Sequence, residues 1–263
     1  MRPFLTMLAT AIHCGIKDYL VTMSPKLYLM TTLPRLIAQV LFFSLIGQFL
    51  GGKDLLLYAL VGNTVVSVAG QALTIASQNL SGALRGGTLS LLVTTPTSPH
   101  WTILTWGSGQ LLLAFVNGLI GLYILAPLFG LRLGPYALWA IPVLAITTLS
   151  VYGLGLVVAA ISLKTQGAFL IGSSFLIVLY ALVGVNFPIT TLPGWLQRIG
   201  WSLPLSHGIL AIRSLMTGQH LEHTAQWIGA EIFVGALYLS LGLLLFQMQI
   251  AVGRRRGTLE FTA

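Results

Sequence analysis

An all-α integral membrane fold with six transmembrane helices is the architecture this sequence predicts, and three observations predict it. Only 7% of the 263 residues are charged and 56% are hydrophobic, whereas ordinary soluble domains are roughly a quarter charged. Several apolar runs reach the ~20 residues a helix needs to cross ~30 Å of hydrocarbon. The thirteen Lys and Arg are scattered between those runs, as loop cations are in a multi-span chain. No soluble domain is visible, so residues 1–263 read as a single transmembrane domain.

Residues 1–29 open the chain as an amphipathic helix. On a 100° wheel Arg2, Thr6, Thr10, His13 and Lys17 gather on one side, and Phe4, Leu8, Ile12 and Tyr19 lie opposite. A mixed helix with a basic face suits the membrane interface rather than a crossing. Thr10, His13, Lys17 and Asp18 also interrupt the apolar core that a cleavable signal requires, so the N-terminus is expected to be retained. The lone Cys14 excludes an intramolecular disulfide and a Cys-rich metal site.

Spans one to five occupy residues 32–187. The first covers 32–50, with Pro34 near its start, and Gly51, Gly52, Lys53 and Asp54 form a short polar turn. The second, 55–77, carries Asn63 and Gln71 among small residues that let helices approach closely. Packing within one subunit and a substrate-facing role both account for these amides. Residues 79–100 are polar, with Arg85, Pro96 and Pro99, and read as a loop holding a short helix. Spans three, four and five follow at 101–129, 135–163 and 167–187, punctuated by Arg132 and Gly134 and then by Lys164, Thr165 and Gln166.

Residues 188–218 differ from the rest. Pro193 and Pro204 each suit the first position of a short helix. The pieces 194–199 and 205–216 are too short to span, yet Trp195, Leu196, Trp201, Ile209 and Ile212 are too apolar for a solvated loop. Re-entrant or interfacial helices meet both constraints. The sixth span, 227–250, ends at Arg254, Arg255 and Arg256, and residues 251–263 form a tail. Nine Lys and Arg fall on the side of the termini, including Arg35, against Lys53, Arg132, Arg198 and Arg213 on the other. That bias places both termini in the cytoplasm and the 188–218 helices outside.

Several chemistries are excluded. The net charge of +8 lacks the basic cluster with interleaved aromatics that nucleic-acid binding needs. No glycine-rich phosphate loop ends in Lys and Ser or Thr, so any nucleotide must bind another chain. Five acids, Asp18, Asp54, Glu222, Glu231 and Glu260, leave almost no candidates for a catalytic triad, and no catalytic residue is assigned. His220 and His223 have no clear third ligand; with Glu222 they read as a polar external loop rather than a metal site. Glu231 lies about one turn into the sixth span and reads as a carboxylate reaching the external interface rather than a proton relay.

The run Gly86-Gly87-Thr88-Leu89-Ser90-Leu91-Leu92-Val93-Thr94-Thr95-Pro96 resembles the segment joining the second and third spans of type 2 ATP-binding-cassette (ABC) permeases. The run Asn186-Phe187-Pro188-Ile189-Thr190-Thr191-Leu192-Pro193-Gly194-Trp195, followed by Leu203-Pro204-Leu205-Ser206-His207 and Ala211-Ile212-Arg213, is similar to that family's outer helices before the last span. The resemblance implies a cytoplasmic coupling helix at residues 88–95, with Arg85, Gly87, Thr88, Leu89, Leu91, Leu92, Thr95 and Pro96 facing an ATPase subunit. Where family members carry Glu on either side of Gly-Thr-Leu, this chain has Leu84-Arg85-Gly86 and Ser90. The N-terminal helix is similar to the family's connecting helix and implies contact with the same partner.

It further implies a permease dimer, a homodimer, in the inner membrane above two ATPase subunits that hold ATP and Mg. Cargoes in the family include drugs, as in multidrug efflux, and also antibiotics, lipids and lipid-linked glycans. Spans one, two and five are the expected lining of the path, with Asn63, Gln71 and Phe175 as candidates. A secondary carrier or channel without an ATPase is the alternative, and a membrane-embedded enzyme a third.

Overall fold

The computed structural model describes residues 10, 13, 15–17, 24–85, 107–130, 132–162, 168–218 and 220–256. Every regular element among them is helical. Most of the N-terminal helix, the coupling residues Gly87, Thr88, Leu89, Leu91, Leu92, Thr95 and Pro96, the start of the third span and the end of the tail lie outside the described residues. Among the described residues, four helical segments are long and apolar enough to cross a membrane: Tyr28–Asn79, Ser108–Leu128, Ala137–Ile161 and Leu221–Gln249. The protein is a multi-pass membrane protein.

Helix α1, Leu33–Arg85, is broken at Gly51 (φ −150°, ψ 20°) and Gly52 (φ 69°, ψ −151°). The left-handed φ at Gly52 is one that glycine adopts without a Cβ penalty. A Cβ built on Gly47 meets the Leu55 carbonyl oxygen at 2.6 Å and the Ala59 Cβ at 3.2 Å. Residues 47 and 59 would stand ~18 Å apart in a straight helix. The two limbs therefore fold back on each other, as the Gly51-Gly52-Lys53-Asp54 turn predicts.

Two single π-helical turns, Tyr28–Thr32 and Gly121–Leu125, each precede a proline in an apolar helix, Pro34 and Pro127. Proline lacks the amide hydrogen and its ring crowds the carbonyl four residues back; a wider turn accommodates both without ending the helix. Helix α2, Ser108–Ile120, runs into the second of these turns.

Helix α3, Ala140–Ser162, is the centre of the bundle, with Leu144, Val151, Tyr152, Leu154 and Ala159 buried. Pro142 sits in its first turn, where a missing amide hydrogen is tolerated. Helix α4, Ala168–Leu182, follows. Its end corrects the predicted fifth span, which ran to 187: Gly184 takes a left-handed φ of 72° and the chain turns out of the helix.

Helices α5, Gly194–Ser202, and α6, Ser206–Thr217, are the two short elements expected before the last span. Pro193 is the residue preceding α5 rather than its first helical position. Pro204 stands two residues before α6, because Leu205 intervenes at φ 90° with its amide turned away from the helix. Helix α5 is largely exposed, with Trp195 66% accessible, whereas α6 is buried through most of its length. Helix α7, Leu221–Arg256, closes the chain and packs along α3. A Cβ on Gly153 would lie 2.7 Å from the Leu239 nitrogen, and one on Gly235 2.1 Å from Ser150 Oγ. Small residues thus let α3 and α7 touch backbone to backbone.

Candidate functional site

The second limb of α1 carries Ser67, Gln71, Thr74 and Gln78, a spacing of three and four residues that aligns them on one helix face. Its other face is apolar and buried, through Val65, Ala69, Ala72, Leu73 and Ala76. The polar stripe looks into a cavity of about 550 Å³, within the ~300–1,000 Å³ of small-molecule pockets. The opposite walls come from Thr31, Arg35 and Gln39 of the first limb and its approach, from Ser173, Leu176 and Tyr180 of α4, and from Gln110 at the start of α2.

Hydrogen bonds hold this wall in place. Asn117, fully buried on α2, donates to Gln71 Oε1 at 2.9 Å and accepts from the Tyr28 hydroxyl. Gln39 Nε2 donates to the Tyr180 hydroxyl, bridging the first limb to α4. Gln110 Oε1 is buried without a hydrogen-bond partner.

Of the three residues expected along a path, Gln71 lines the cavity, and Asn63 and Phe175 are not among its lining residues. Asn63 is fully buried, donating to the Ala59 carbonyl at 2.9 Å and to Asn186 Oδ1 at 2.8 Å. Phe175 packs, half-buried, against the core.

The outer residues form a second constellation, built around α6. Arg213, in the second outer helix as expected, is a buried cation, only 9% accessible. It donates to the carbonyls of Gly184 (2.9 Å), Val185 (2.6 Å) and Tyr58 (2.9 Å), and its guanidinium lies 3.3 Å from the Tyr58 ring centre. The Tyr58 hydroxyl also donates to the Gly184 carbonyl, at 3.1 Å. Gly62 makes room, since a Cβ there would meet the Val185 oxygen at 2.2 Å and Arg213 Nη2 at 2.5 Å. Burial draws Arg213 down to about 10, partly opposed by Tyr58, so it remains a cation at neutral pH.

Glu231 also differs from the sequence reading. Its side chain is fully buried and does not reach the external interface. The carboxylate accepts from the backbone amides of Leu205 (3.0 and 3.2 Å) and Gly208 (2.9 Å). These are orphan donors at the start of α6, where the helix dipole also favours negative charge. Farther along, Ser214 Oγ and Thr224 Oγ1 lie 2.5 Å apart, again joining α6 to α7.

The other outer residues are more open. Phe187, Pro188 and Pro193 are exposed, Pro204 is buried, and half-buried His207 lies 5.4 Å from the Trp201 ring. Glu222 stands 3.8 Å from His220 and 3.9 Å from His223, all three exposed. Among the described residues no group of three or more metal-ligand side chains converges. Arg85 is the last residue of α1.

A sequence model described as "ABC-2 type transporter" matches residues 23–217, well over half of the chain. The chain belongs to the ABC-2 type transporter family. The match in this ABC-2 family member takes in both limbs of α1, the cavity and α6 with Arg213, and stops short of Glu231. Similar curated proteins include Nodulation protein J of Rhizobium meliloti (strain 1021), 34% identical over 93 residues, 35% of this chain and 36% of that one. Nodulation protein J of Rhizobium leguminosarum bv. viciae is 36% identical over 110 residues, 41% of this chain and 42% of that one. Nodulation protein J of Sinorhizobium fredii (strain NBRC 101917 / NGR234) is 29% identical over 143 residues, 54% of this chain and 53% of that one. The alignments thus span about a third to a half of these relatives' length.

Sequence reasoning missed Tyr28, Tyr58 and Asn117, the place of Arg35 on the cavity wall, and the partners of Glu231. For the cavity a signal existed, in the polar stripe of Ser67, Gln71, Thr74 and Gln78. The partners of Glu231 and Arg213 left no local trace, being mostly backbone groups.

Proposed function

We propose that the chain is the membrane subunit of an ATP-driven exporter of amphipathic or hydrophobic cargo, and the observation that carries this reading is the family match over residues 23–217. On this reading the chain crosses six times: the two limbs of α1, the segments Ser108–Leu128 and Ala137–Ile161, α4, and Leu221–Gln249. It sits in the cytoplasmic membrane with both termini inside, pairs with a second permease copy, and works above two ATPase subunits that bind ATP and Mg.

On the same reading residues 88–95, outside the described residues, serve as the coupling segment, and Arg85 is the last residue of α1 before it. A short rigid helix whose contacts differ between nucleotide-bound and nucleotide-free partners biases the permease between conformations. The cavity between the α1 limbs and α4 supports a path along spans one, two and five. A proton-coupled carrier is disfavoured by Glu231, whose two oxygens are already engaged by backbone amides and which does not line that cavity.

The test is co-expression with candidate ATPase subunits, followed by co-purification and ATPase assay of wild type and of Leu91→Asp/Leu92→Asp. Association and activity that the double substitution abolishes, with membrane insertion intact, are the expected result. Solute movement by the reconstituted chain alone, with no ATPase bound, would overturn the reading in favour of a carrier.

A further inference from the structure

The cavity between the α1 limbs and α4 has a charge asymmetry that span composition conceals. Among the described residues that line it, Arg35 is the one fixed charge and none is a carboxylate. The Arg35 side chain is exposed, and the ion pairs found among the described residues all involve Glu222. Around it stand the amides of Gln39, Gln71, Gln78 and Gln110, which offer donors and acceptors alike. Gln110 keeps a buried carbonyl oxygen without a protein partner.

A guanidinium pairs with phosphate or carboxylate through a planar fork of charge-assisted donors. A cationic headgroup in the same space meets repulsion, with no carboxylate among the described lining residues to offset it, which is selection by exclusion. We infer that the cavity receives an anionic, hydrogen-bonding headgroup of an amphiphile, with Arg35 as the residue that selects its charge and the glutamines as its neutral partners. Naming that headgroup as cargo rests on the exporter reading above; the binding chemistry itself does not.

The test uses the full-length chain in phosphatidylcholine nanodiscs, with dodecyl phosphate and dodecyltrimethylammonium as probes sharing one tail. Binding in excess of empty discs is measured by equilibrium dialysis. Wild type should bind dodecyl phosphate at least about tenfold more tightly, the scale of one charge-assisted hydrogen bond. Arg35→Gln should erase the preference and Arg35→Lys should keep most of it.

Equal binding of the two probes by wild type, or a preference that survives Arg35→Gln, overturns the inference. Melting curves of each variant separate loss of binding from loss of fold. Co-purification with the ATPase separates the two readings. Lost selectivity with the ATPase still bound removes only this inference, whereas intact selectivity without any ATPase removes the exporter and keeps the site.

Discussion

Replacing Arg213 by Ala puts the outer helix pair to its most direct test. The carbonyls of Gly184, Val185 and Tyr58 each lose a donor, Gly184 keeping the Tyr58 hydroxyl, and the Tyr58 ring loses a cation at 3.3 Å. A buried acceptor left unpaired costs about 1–3 kcal/mol, and a desolvated cation–π contact contributes about 2 kcal/mol. These contributions are not additive, because removing one side chain lets the Gly184–Val185 turn relax and spares the cost of burying a cation. About 3–5 kcal/mol, one unpaired acceptor together with the cation–π contact, is the upper bound on the net loss. For a chain of this size that corresponds to a fall in melting temperature on the order of 10 °C. Tryptophan fluorescence or differential scanning calorimetry in detergent reads it directly. Arg213→Lys should recover less than half, since one ammonium cannot reproduce the planar fork that reaches three carbonyls. A folded Arg213→Ala protein melting within about 2 °C of wild type, a loss under ~1 kcal/mol, would refute the view that this guanidinium ties α6 to α4 and α1.

Glu231→Gln keeps the size of the side chain but offers one carbonyl oxygen where two carboxylate oxygens receive Leu205 and Gly208. A loss of about 1–3 kcal/mol is expected, read as a lower melting temperature; an unchanged melt contradicts the helix-start role. Asn117→Leu conserves volume but leaves the Tyr28 hydroxyl and Gln71 Oε1 without their shared partner. It should cost about 1–2 kcal/mol, and faster hydrogen exchange around residue 71 would report the freed cavity wall.

Much of the fold could be read locally. The break at Gly51 and Gly52, the two short outer helices and the long last helix follow from where apolar runs start, stop and fall short of bilayer thickness. Boundaries moved where a backbone conformation intervened, as at Gly184 and Leu205, whose left-handed φ values no hydropathy pattern encodes. The resemblance of residues 86–96 and 186–213 to type 2 ABC permeases led to the family that the match over residues 23–217 establishes.

From the sequence alone came the membrane class, the all-helical architecture and the family, because each depends on composition or on a contiguous run of residues. Tertiary structure decided what the few charges do. Glu231 meets amides more than twenty residues before it, and Arg213 reaches carbonyls at 184, 185 and, on another helix, 58. A buried charge is tolerated only where backbone groups from distant parts of the chain converge on it, and that convergence exists only once the helices have packed.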